Sequence, residues 1–162
     1  CSDPPTISIS IADTSKGPKD TFRAMVETQT FCINLVEEEH AEAMHVTSGA
    51  FAAEQSEFEI ANLKTVECTQ IQGLRVADAR ASLECRLIDV HTYGRKAKCN
   101  LVIGEVVQIH VSKELMHDRR LMADQQKIKP VGRLGGGFYS QLQSPYQLPP
   151  VNVELLSKEK MT

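Results

Sequence analysis

Between positions 4 and 12 the chain alternates with period two: Ile7, Ile9 and Ile11 fall on one side, Thr6, Ser8 and Ser10 on the other. That pattern predicts a half-buried β-strand with its three isoleucines toward the core. The opposite face carries only small hydroxyls, which are either simply solvated or let a flat polar ligand lie close. A loop over 13–18 then leads to Lys19-Asp20-Thr21, where Asp20 or Thr21 is placed to cap a helix over 22–28. Thr30–Val36 reads as a second strand. Glu37-Glu38-Glu39 loads the first turn of a further helix with acid, which suits the helix dipole. This helix is expected to run to about Val46, with Ala41, Met44 and His45 on its apolar side.

Positions 47–80 are less periodic, with short pieces at Phe58-Glu59-Ile60 and Thr65–Cys68. Two long strands follow. Ala81–His91 alternates through Leu83, Cys85 and Leu87, then shifts phase to Ile88 and Val90, which predicts a bulge. Cys99–Val111 alternates through Leu101, Ile103, Val107, Ile109 and Val111, taken together as its core stripe. With a turn at Tyr93–Lys96 the two form a long hairpin. After a short helical piece at Glu114–His117, three consecutive glycines follow Arg133 without a clear strand before them, and read as a flexible loop. Long strands with only two clear helices indicate a mainly β, barrel-like domain rather than a layered βαβ one.

Composition narrows the function. The chain has 162 residues, room for one domain with a real core. With 18 Lys plus Arg against 21 Asp plus Glu, its net charge is −3. Nucleic acid and anionic membrane surfaces both demand a basic face, so neither is expected as a partner. No apolar run reaches the ~20 residues of a membrane-spanning helix. The cysteines (Cys1, Cys32, Cys68, Cys85, Cys99) form no C-x-x-C pair, and the five histidines form no H-E-x-x-H. No metal site is therefore expected. Cys32 and Cys85 lie in apolar stretches, as buried reduced thiols do, which fits a cytoplasmic location.

Three groups could carry chemistry. Ser15, Lys19 and Thr21 surround a helix start, where free N–H groups, hydroxyls and a cation suit a phosphate; the P-loop spacing is absent. Arg133 and Tyr139 flank the triple glycine, which permits close backbone approach to a flat ligand. His110 falls on the face of its strand opposite Ile109 and Val111, and is the candidate catalytic group. No serine has a nucleophile-elbow context.

A series of motifs also carries a resemblance. Ser2-Asp3-Pro4-Pro5 before an alternating strand, Lys19-Asp20-Thr21 opening a helix, and Phe31-Cys32-Ile33-Asn34-Leu35-Val36 come first. Ala41-Glu42-Ala43-Met44, Glu57-Phe58-Glu59 and Leu83-Glu84-Cys85 follow, then 104–111 (GEVVQIHV) and 130–136 (PVGRLGG). In this order they resemble the flavin reductase-like family of FMN-binding split barrels. The resemblance implies a split β-barrel with two or three flanking helices, FMN as cofactor and NAD(P)H as electron donor. It implies that Ser15, Lys19 and Thr21 hold the FMN phosphate, that Ser8 and Ser10 lie near the flavin, and that His110 sits where nicotinamide approaches. Arg133 and Tyr139 would lie near the cofactor or the interface of a homodimer. In such proteins the cofactor does the chemistry while side chains orient and tune it. The expected activity is hydride transfer from NAD(P)H to flavin, with a monooxygenase or electron-transfer partner downstream. Two alternatives stand beside it: a non-enzymatic FMN electron carrier, and a dimeric split barrel that has lost flavin, for which the acid at Asp13 beside the phosphate site is the motive. Residues 1–140 are expected to form the FMN-binding domain and 141–162 a C-terminal extension. Since the family pattern has strands before Ser-Asp-Pro-Pro, the barrel is expected to lack its first strands, leaving an edge or a pairing chain beside Thr6–Ile11.

Overall fold

The computed structural model describes residues 1–52, 54–117, 122–142 and 144–148. Its main sheet has four antiparallel strands in the order β1-β6-β5-β2: β1 Thr6–Ala12, β2 Thr30–Asn34, β5 Ala81–Tyr93 and β6 Cys99–Val111. Helix α1, Asp20–Thr28, joins β1 to β2. Two short helices, α2 Ala41–Val46 and α3 Glu57–Ile60, precede a small hairpin of β3 Thr65–Glu67 and β4 Leu74–Val76. A second hairpin, β7 Val131–Gly135 with β8 Phe138–Gln141, closes the described chain. Most of the expected extension 141–162, namely 143 and 149–162, lies outside the described residues.

The core forms where sheet meets helix. Met25 of α1, Phe31 of β2, Cys85 of β5 and Val102 of β6 are buried, and Ile7, Ile9 and Ile11 pack against them. β1 is thus oriented as its alternation demands, and among the described residues it is an edge strand paired only with β6. The long β5–β6 hairpin forms as expected, with Gly94 in the turn at φ +97°. The bulge falls at Ile88, between the Leu87↔Gly104 and Asp89↔Ile103 pairs; it turns Ile88 outward and leaves Val90 on the core.

Four expectations are corrected. The core side of β6 is Val102 and Val106, with Gly104 against the Phe31 ring, while Ile109 is 56% exposed. Residues 101–103 and 106–107 are apolar on both parities, so alternation alone cannot choose a face; pairing with β1 and β5, and a second bulge at Val107, choose it. The helix expected from Glu37 is a 3-10 turn over Glu38–His40 running into α2, with Glu37 itself buried and His45 exposed. The glycine stretch after Arg133 is no loose loop: Gly136 and Gly137 make the tight turn of the β7–β8 hairpin, with Gly135, which ends β7, and Gly136 both at positive φ. The piece at Glu114–His117 is a 3-10 turn over Lys113–Leu115, anchored by fully buried Leu115.

Candidate functional site

The β1–α1 connection turns tightly where Thr14 and Gly17 exchange backbone hydrogen bonds of 2.8 and 3.1 Å. Gly17, at φ +113°, makes that turn possible. Helix α1 then starts at Asp20, two residues earlier than expected, so neither Asp20 nor Thr21 is its cap. Asp20 pairs with Arg23 within the first turn, and Lys19 takes the cap position without a side-chain hydrogen bond. Lysine has no acceptor to offer, so the first-turn N–H groups are left without a side-chain cap, beside the Lys19 cation. Ser15, Lys19 and Thr21 are all exposed along this one segment. Ser8 and Ser10 are exposed together on the outer face of β1. Asp13 is committed: its carboxylate accepts from the Asn100 amide at 2.8 Å. These residues fit a phosphate group.

Arg133 and Tyr139 are brought together as cross-strand partners of the β7–β8 hairpin. The Arg133 guanidinium donates across the turn to the Gly136 carbonyl at 3.1 Å, and the Tyr139 ring meets His45 edge-on at 6.3 Å. Among the described residues no hydrogen bond or ion pair joins this pair to the β1–α1 segment.

His110 belongs to a third group, most of which sequence reasoning missed. Its Nε2 lies 2.5 Å from Oε1 of Glu84, whose side chain is fully buried, while His110 is 19% exposed. The same carboxylate accepts the backbone N–H groups of Thr69 and Gln70, both at 2.7 Å, and the Thr69 hydroxyl at 3.2 Å. Burial alone would raise the Glu84 pKa; the Thr69 N–H, His110 and the other donors outweigh it and hold the carboxyl down at about 2. Glu84 is therefore ionised at neutral pH, and Nε2 carries the proton that faces it. Nearby, Asn34 Oδ1 accepts from the Ser82 hydroxyl at 3.0 Å and the Val76 N–H at 3.1 Å. Together these contacts fasten the 69–76 segment over the β2–β5–β6 face. A separate buried acid, Glu37, accepts from Arg80 at 3.2 Å and from the Lys129 N–H at 2.8 Å. The only available signal for Glu84 was position: it shares a strand face with Ser82, between core residues Leu83 and Cys85.

Residues 1–132 match the profile of the flavin reductase like domain. An uncharacterised protein of Aquifex aeolicus is 32% identical over 85% of this chain and 68% of its own length. The chain belongs to the flavin reductase-like family. Nitrilotriacetate monooxygenase component B from Bacillus cereus superposes with a TM-score of 0.84 at 30% identity, covering 91% of this chain and 74% of that one. A split-barrel domain protein from Shewanella frigidimarina superposes at 0.81, with 24% identity over 93% and 73% of the two chains, and shares the fold. Family membership and a split-barrel architecture assign the chain a flavin-related oxidoreductase role. Among the described residues no helix is long and apolar enough to cross a membrane, and no cluster of His, Cys, Asp or Glu is arranged to hold a metal.

Proposed function

We propose that this chain binds FMN and passes hydride from NAD(P)H to it. The observation that carries this reading is the uncapped start of α1, lined by Ser15, Lys19 and Thr21, in a chain that matches the flavin reductase-like profile over 1–132. The first-turn N–H groups and the Lys19 ammonium take the phosphate, with Ser15 and Thr21 hydroxyls completing the cradle. Asn100 holds the Asp13 carboxylate, which lessens its opposition to an anion there. Ser8 and Ser10 present a flat hydroxylic surface to the flavin. The chemistry FMN supplies when bound is hydride acceptance and onward electron transfer.

His110 keeps its Nε2 proton on Glu84, so its part is to orient the nicotinamide with the remaining ring edge rather than to move a proton. Arg133 and Tyr139 serve at the cofactor or at the interface of a homodimer. The similarity to a monooxygenase component B supports an oxygenase or other electron-transfer protein as the recipient of the electrons.

The test is to titrate the purified protein with FMN, following flavin fluorescence, and then add NADH or NADPH under anaerobic conditions. Saturable binding and bleaching of the flavin absorbance are expected. Binding without bleaching, together with reduction by an added reductase, selects an electron carrier instead. Absence of any FMN binding overturns the reading and leaves a flavin-free dimeric barrel.

A further inference from the structure

An open cavity of about 400 Å³ lies where the end of β4 meets the end of β6. Arg75, Arg80, His110 and Ser112 supply its polar wall; Ala77, Ala79, Ile109 and Val111 supply an apolar one, and no acid lines it. That is unusual in a chain of net charge −3. The two arginines differ in kind. Arg80 has its counter-charge, since Nη1 bonds the buried Glu37 carboxylate and the Lys127 carbonyl. Arg75 is half-buried and has no ion pair among the described residues. In both side chains the Nε–H is buried without an acceptor. A buried donor on a cation is costly to leave unsatisfied, and the guanidinium fork matches carboxylate and phosphate oxygens two at a time. The acid bonded to His110 of this wall is Glu84, which does not itself line the cavity and whose two oxygens are taken up by His110 and by the Thr69 and Gln70 N–H groups.

We propose that this cavity is an oxyanion-binding site, in which Arg75, supported by Arg80 and Ser112, takes a carboxylate or phosphate carried on a body with an apolar face. The Arg75 guanidinium is the donor group that meets it, and Ile109 and Val111 give the apolar part of the ligand its surface. The charge to be met is the single uncompensated one of Arg75, so one oxyanion group fills the site. The cavity shares His110 with the nicotinamide position proposed above, but it requires no flavin, and its occupancy is measurable in flavin-free protein.

Arginine side-chain Nε–H resonances of the ¹⁵N-labelled full chain, titrated separately with benzoate and with inorganic phosphate, give the test. Saturable movement of the Arg75 resonance is expected, and the probe that saturates at lower concentration tells a carboxylate source from a phosphate one. Followed on the Arg80 resonance, which both variants retain, Arg75→Ala should weaken that probe at least about tenfold, and Arg75→Lys, which keeps the charge but loses the fork, by less. Arg95→Ala removes an exposed cation from the β5–β6 turn and should leave the affinity unchanged; it controls for net charge. Melting curves by circular dichroism establish that each variant is folded. The proposal is overturned by a resonance that neither probe moves, or by undiminished binding in Arg75→Ala. It is equally overturned if the Arg75 signal moves with protein concentration alone, which would mean that a second copy covers the cavity.

Discussion

Two polar regions of this molecule use similar residue types in opposite environments. Under the β3–β4 segment, Glu84, Ser82 and Asn34 are out of solvent or nearly so, and each makes side-chain hydrogen bonds. Along β1 and the start of α1, Ser8, Ser10, Ser15, Lys19 and Thr21 are exposed, and none makes a side-chain hydrogen bond among the described residues. Removing a charge from water costs several kcal/mol, so a buried carboxylate persists only when its partners are in place. The buried group is therefore committed to holding the fold, while the exposed one remains free to hold a ligand. Stability should respond to substitutions in the first and ligand affinity to substitutions in the second.

The largest effect is expected at Glu84. Glu84→Ala leaves the Thr69 and Gln70 N–H groups and His110 without their acceptor and opens a cavity. A loss of about 3–5 kcal/mol is expected, as for breaking a buried pair by removing one member. Urea unfolding measures it, and a loss below about 1 kcal/mol would break the contrast between the regions.

Acid should attack the same place. The Glu84 pKa is about 2 in the folded protein against an ordinary 4.5, so the folded state prefers the ionised form. The stability this contributes is complete above pH 4.5 and is lost as pH falls through about 2. At 1.36 kcal/mol per pKa unit the difference amounts to about 3 kcal/mol. Unfolding free energies taken from pH 7 down to pH 3 should fall more steeply for the natural chain than for Glu84→Gln. Parallel curves for the two proteins would show that another group governs the acid limb.

These contrasts also explain what the sequence could reveal. The β1 strand was legible because its apolar residues sit on one parity only, and the β5–β6 hairpin because both strands are long and separated by a glycine turn. The core face of β6 was not, since apolar residues occupy both parities and two bulges reset the phase. Leu83-Glu84-Cys85 was recognisable as a strand motif, yet nothing in it says that the backbone of residues 69 and 70, fifteen and fourteen positions away, supplies the partners of Glu84. Long-range pairing of that kind leaves no periodic trace. The grouping of Ser15, Lys19 and Thr21 at a helix start was legible because they lie close together in the sequence and need no distant partner.

A smaller loss is expected from Gly104→Ala, in the apolar core between the two regions. A Cβ at this position would meet the Phe31 ring, which is itself buried and packed against Met25 and Cys85. Overpacking of this sort costs about 1–3 kcal/mol. If urea unfolding finds no loss, Phe31 has a second place to go and the core is looser than its burial indicates. Flavin affinity should follow stability only if the β1–β6 register is disturbed as well.

The smallest effect on stability, and the sharpest test of the comparison, is expected at Lys19. Its side chain is exposed and bonds nothing among the described residues, so Lys19→Ala should leave the urea midpoint almost unchanged. The same substitution removes the cation of the cap residue of α1, and FMN affinity should fall about tenfold, the effect of losing one charge-assisted contact to phosphate. Riboflavin, which lacks the phosphate, should bind the natural chain and the variant alike. An equal loss for both flavins would put Lys19 against the ring system rather than the phosphate. A lower urea midpoint with unchanged affinity would make the start of α1 part of the scaffold, and the division between buried residues that hold the fold and exposed residues that hold the ligand would fail there.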